Sequence, residues 1–167
     1  LFAFLAKEST DGSVRANQIL DAVLKGLGPI WPGRLDLAGT NLGDVWQHPL
    51  LGDLATVDSF IPFHKLSQWM TYSMVEPIEE AGISVGGANE LTGLAEYRNG
   101  GLLLDTGFLS LRNTSDSETT HAPGDELIVE WRALTIHALE LIGARVRELL
   151  GKTIEEFPLA RVLEGGT

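Results

Sequence analysis

Apolar residues recur at helical spacing in several stretches of the chain. Over residues 13–27, Val14, Ile19, Val23, Leu24 and Leu27 share one face of a predicted amphipathic helix, which Ser13 would cap and Gly28-Pro29 would stop. A second helix is predicted over 63–80, with Pro62 at its start, where a missing N–H costs least, and Pro77 expected to kink or end it. Leu66, Met70 and Met74 form its apolar stripe. The longest pattern spans 125–150, opened by Asp125 and Glu126 and closed by Gly151. Its apolar positions, among them Val129, Trp131, Leu134, Leu139 and Leu141, point nearly all round, which predicts a central, buried helix. A last helix is predicted over 153–163, where Thr153 and Glu156 have capping-box spacing.

The intervening stretches are richer in Gly and Pro. Residues 30–52, with Trp31 and Trp46, read as an ordered connection of short turns; 82–90 is a turn-rich break. Residues 91–111 combine a short helix, a glycine turn and a buried apolar run, with 101–111 able to add a short extended segment. Polar residues 112–126 predict an exposed loop. The expected fold is mainly α, one helical domain over 1–167 built around the 125–150 helix. The start at Leu1 and the closing glycine pair predict a C-terminal fragment of a longer protein.

Composition narrows the function classes. A chain of 167 residues, 44% of them hydrophobic, can bury a real core. Its net charge of −11 disfavours nucleic acid and anionic membranes as partners, so an anionic ligand would need a local cluster of cations. The absence of cysteine excludes disulfides, thiolate metal sites and a cysteine nucleophile. No apolar run approaches the roughly 20 residues of a membrane helix, and the expectation is a cytoplasmic protein. His48, His64, His121 and His137 show no metal-ligand spacing, and there is no phosphate-loop or dinucleotide glycine motif, so neither metal nor cofactor is expected.

Three clusters carry candidate chemistry. On the 63–80 helix Lys65, Gln68, Trp69 and Tyr72 fall at i, i+3, i+4 and i+7, along one stripe. In "EYRN" an acid, a phenol, a guanidinium and an amide follow one another as Glu96, Tyr97, Arg98 and Asn99, a mixture of donors and acceptors suited to a polyhydroxylated or phosphorylated ligand. In the 125–150 helix Glu130 and Arg132 are charged among apolar neighbours and must pair or serve a site. Ordinary packing and a structural Glu–Arg pair are the plain alternatives for each.

Read in order, "GDVWQH", "IPFHKLSQWMTYSMVEP", "LTGLAEYRNGGLLLDTG", "VEWRAL" and "PLARVLEGGT" resemble the domain-of-unknown-function family of fungal and bacterial uracil catabolism called uracil catabolism protein 4. Three shorter patterns, at Phe63, Lys65 and Gln68, at Glu96, Tyr97 and Arg98, and at Glu130, Arg132 and Ala133, are more distantly similar to the queuosine salvage family. That family resembles helical DNA glycosylases and hydrolyses a bond between a modified base and ribose 5-phosphate. It carries Asp where this chain has Glu96, so substrate identity does not transfer. The resemblance implies a helical glycosylase-like fold and a nucleoside- or nucleotide-like small-molecule substrate. It implies Glu96 as the catalytic carboxylate, and Lys65, Arg98 and Arg132 as phosphate-binding cations. Tyr72 or Tyr97 would contact sugar or base, Trp69 would stack, Asn99 would orient an amide, and Glu130 would position Arg132. The function so implied is hydrolysis of an N-ribosidic bond in a uracil-breakdown intermediate such as ribosylurea or its 5-phosphate. The alternative is a non-catalytic module binding a nucleotide or a partner of that pathway.

Overall fold

The computed structural model describes residues 1–32 and 35–164; Gly33 and Arg34 of the predicted connection, and Gly165 to Thr167 of the closing motif, lie outside the described residues. Six α-helices are present among them: α1 Phe2–Glu8, α2 Ala16–Leu27, α3 Lys65–Glu80, α4 Tyr97–Asp105, α5 Glu126–Leu150 and α6 Leu159–Glu164. The strands are β1 Ser13–Arg15, β2 Asp36–Leu37, β3 Thr40–Asn41, β4 Val45–Gln47, β5 Phe60–Pro62 and β6 Ser84–Gly86. They pair as three separate ribbons, β1 with β6 in parallel and β2 with β3 and β4 with β5 antiparallel.

This corrects the mainly α, glycosylase-like expectation. With 55% helix, 10% strand and several small sheets, the chain is mixed α/β. Strands of two or three residues are too short to display the two-residue alternation by which a strand is recognised. Their pairing is decided by residues far away in the chain.

The core cluster lies between α1, α2, α3 and the β1–β6 ribbon. Leu5, Val14, Ile19, Ala22, Val23, Ile78 and Ile83 are buried together, with Leu27, Met70, Met74 and Val85 against them. Each large side chain fully removed from water there contributes roughly 1.5–3 kcal/mol. Ser13 does not cap α2. It pairs with Ser84, and α2 begins at Ala16, where the Arg15 N–H donates to Gln18 Oε1 at 2.7 Å. α3 contains Pro77 and ends three residues later.

α5 is not buried all round. Val129, Thr135, Ala138, Leu139 and Gly143 are buried, whereas Leu134, Leu141, Leu149 and Leu150 are exposed, because α4, α6 and β4 pack along only part of its surface. No extended segment forms over 101–111. Instead α4 runs through Gly100-Gly101, and a Cβ on Gly100 would lie 2.8 Å from the Trp131 ring. The indole N–H of Trp131 donates to Gly100 O at 3.2 Å, so the glycine is where α4 and α5 touch.

The predicted 153–163 helix is also shorter than expected. Thr153 and Glu156 exchange the two bonds of a capping box, Thr153 N to Glu156 Oε2 at 2.9 Å and Glu156 N to Thr153 Oγ1 at 3.2 Å. Pro158 then lacks the N–H to continue that turn, and α6 starts at Leu159. Residues 112–126 are largely exposed and contain a 3₁₀ turn, Thr114–Glu118. Among the described residues no helix is long and apolar enough to cross a membrane.

Candidate functional site

The site is built by the register of one small ribbon. Pairing of Val45 with Pro62 places Asp44, just before β4, beside the residues just after β5. The Phe63 and His64 N–H groups donate to Asp44 O at 3.0 and 3.2 Å. The Asp44 carboxylate then caps the neighbouring helix, Oδ2 accepting the Lys65 N–H at 3.0 Å, a job no side chain on α3 performs. Arg132 reaches across from α5 and closes a bidentate pair on Asp44 at 2.9 and 2.8 Å, with its guanidinium 4.1 Å from the centre of the Phe63 ring. Trp46 Nε1 donates to the same carboxylate at 2.7 Å. Burial pushes the Asp44 pKa up, but the hydrogen bonds from Arg132 and Trp46 and the Arg132 charge outweigh it and hold the carboxyl below its usual range.

Glu96 is fixed separately. It is the N-cap of α4 and accepts from Tyr97 N at 3.2 Å, while Lys65 Nζ lies 3.2 and 3.3 Å from its two oxygens. Two hollows flank this arrangement. One of about 440 Å³ is lined by Trp31, Asp44, Trp46, His64, Lys65 and Arg132, with others; one of about 420 Å³ is lined by Lys65, Glu96, Tyr97, Trp131 and Arg132, with others. Lys65, Pro123 and Arg132 line both, so the two hollows adjoin as neighbouring lobes of a cleft, one lined by Asp44 and the other by Glu96. Trp31 lines the larger lobe, and its buried Nε1–H has no hydrogen-bond partner among the described residues. The N–H groups of Leu66 and Ser67 in the first turn of α3 likewise have no acceptor among the described residues. Such a cleft offers donors to an anionic or polar ligand and a carboxylate to a developing cation.

Lys65, Glu96 and Arg132 are therefore brought together, with Tyr97 at the edge, exposed to 67%. The other residues singled out by sequence go elsewhere. Gln68 is buried and spends its carboxamide on Phe63 O, Thr92 N and Thr92 Oγ1. Tyr72 OH donates to Thr92 O at 3.2 Å, and burial together with the Glu140 charge pushes its pKa up to about 12. Trp69 is exposed. Arg98 is fully exposed and donates to the hydroxyl of its neighbour Tyr97 at 3.2 Å. Asn99 is buried and lines a different hollow, with Leu102, Leu139, Phe157 and Arg161. Glu130 pairs with Arg112 at 3.5 Å, not with Arg132.

Sequence reasoning missed Asp44 and His64. Neither carries a spacing that points to the cleft; the signal available was the acid immediately before the "VWQ" strand, visible only once that strand is paired.

Comparisons with known proteins agree with the resemblance to the uracil catabolism protein 4 family and do not show the more distant one to queuosine salvage proteins. The chain is 45% identical to Protein urg3 of Schizosaccharomyces pombe over 142 residues, covering 83% of this chain and 34% of that protein. It is 33% identical to Uracil catabolism protein 4 of Lachancea kluyveri, covering 100% of this chain and 42% of that protein. The chain thus spans between a third and a half of the length of these relatives. No solved structure matches it. The family described as Protein of unknown function (DUF1688) matches residues 1–167, end to end, and the chain belongs to that family.

Proposed function

We propose that the cleft hydrolyses an N-ribosidic bond in an intermediate of uracil breakdown, with ribosylurea or its 5-phosphate as the substrate class. The observation that carries this reading is the placement of Glu96 across the cleft from Arg132, its carboxylate oriented by Lys65 and the Tyr97 N–H. The name of the L. kluyveri relative supplies the pathway. Cleavage of such a bond builds positive charge on the sugar in an oxocarbenium-like state, and a fixed carboxylate stabilises that charge more than it stabilises the neutral ground state. Arg132 is paired with Asp44 and Lys65 with Glu96, so a polar or anionic group of the substrate would share the N–H donors of these two cations with the carboxylates they already hold. Trp31 and the first-turn amides of α3 add neutral donors for urea or sugar oxygens.

The test is incubation of the intact protein with ribosylurea, its 5-phosphate and several pyrimidine nucleotides, following free ribose or ribose 5-phosphate. Release from a ribosylurea compound supports the reading. A rise in melting temperature without release from any compound assigns the cleft to ligand binding alone and removes the hydrolase.

A further inference from the structure

We propose that His64 is a second catalytic residue of this cleft, whose imidazole takes the proton of the attacking water. The proposal rests on the N-ribosyl hydrolase reading and assigns a group that the reading leaves open.

Three observations place it. First, His64 has φ 45° and ψ 38°, a left-handed conformation that costs a non-glycine residue energy. The other non-glycine residues with positive φ among those described have an ordinary reason: Asp11 and Ala38 precede Gly12 and Gly39 in tight turns. His64 instead joins β5 to α3, held there by the Phe63, His64 and Lys65 N–H groups, which donate to Asp44 oxygens. Second, the side chain lines the larger hollow with Asp44, Lys65 and Arg132, and its ring has no hydrogen-bond partner among the described residues. Third, the charges facing it are already paired: Asp44, from the turn before β4, holds Arg132 of α5, and Lys65 of α3 holds Glu96 beyond. Burial lowers the imidazole pKa, and Asp44 raises it only in part, so the ring is neutral and able to accept a proton at pH 7.

In the step itself the water oxygen bonds to C1′ as its proton passes to the imidazole. The C1′–N bond breaks with its electron pair going to nitrogen, which takes a proton from solvent. The imidazolium then returns its proton to solvent. Glu96, on the other side of Lys65, faces the positive charge that develops on the sugar.

The experiment compares the intact wild-type protein with His64→Asn, His64→Gly and Glu96→Gln on ribosylurea and on its 5-phosphate across pH 4 to 9. Asn and Gly both tolerate the left-handed backbone, so at least one variant folds. Wild-type kcat/KM falls as pH drops through a value below the usual imidazole range. His64→Asn and His64→Gly lower kcat about 10²- to 10⁴-fold, with little change in KM, and remove that acid limb. Wild-type kcat with an unchanged limb in a folded His64 variant, alongside loss of turnover in Glu96→Gln, overturns the role of His64 and leaves the hydrolase reading standing. No release by wild type overturns both.

Discussion

Asp44 uses both carboxylate oxygens to join three elements: Oδ1 accepts from Trp46 and Arg132, Oδ2 from the Lys65 amide and Arg132. Removing the charge leaves a half-buried guanidinium without its partner and α3 without its cap. Asp44→Asn is therefore expected to cost about 1–3 kcal/mol, read as a lower urea midpoint at unchanged slope. Acid should weaken the fold through the same residue. The Asp44 pKa is held down in the folded state, so its contribution is present above the ordinary carboxylate range and fades as pH falls through the folded value. The His64 pKa is also lowered, but here the folded state resists protonation, so stability begins to fall as pH drops below about 6.5. Melting temperatures from pH 7 to 3 should show two components, the upper absent in His64→Asn and the lower in Asp44→Asn. Lys65, Glu96 and Arg132 were legible in the sequence because short motifs single them out. Pairing Glu130 with Arg132 was a natural reading that helix geometry defeats, since residues two apart on a helix do not face each other and Arg112 takes Glu130 instead.

Among the elements, α2, α3 and α5 were legible because their apolar residues repeat every three or four positions, and the bounds of α3 and α5 fell within a residue or two of those expected, whereas α1 was not expected and α6 is shorter than its pattern. The ribbons were not, and with them went Asp44, whose place depends on β4 meeting β5. Helix α4 offers a test of how the site is supported. At Gly100 a side chain would collide with Trp131, while at Gly101 nothing lies within 4 Å of an added Cβ. Gly100→Ala is expected to destabilise by about 1–3 kcal/mol, as overpacking does, and to disturb the Glu96 end of the cleft. Gly101→Ala should stabilise by up to about 1 kcal/mol through helix propensity alone. Equal effects in thermal denaturation would contradict the packing at Gly100. Gln68→Ala, which strips the carboxamide's bonds to the Phe63 and Thr92 backbones and to the Thr92 hydroxyl, should lower stability by about 1–3 kcal/mol while leaving KM for substrate nearly unchanged.

Over the whole molecule, helices supply the core and small ribbons supply the register that builds the cleft, a division that the apolar pattern alone does not announce. The apolar residues of α5 suggested a buried centre, yet Leu134, Leu141, Leu149 and Leu150 face outward, since hydrophobicity in a sequence says what can be buried, not what has neighbours to bury it. The proposed hydrolysis depends on Glu96 acting on bound substrate. Its most direct test measures turnover and binding of ribosylurea by Glu96→Gln beside the wild-type protein, both intact. Wild type is expected to release ribose, and the variant to show a fall of at least about 10²-fold in kcat with a dissociation constant within a few-fold of wild type. Wild-type turnover by Glu96→Gln would contradict it.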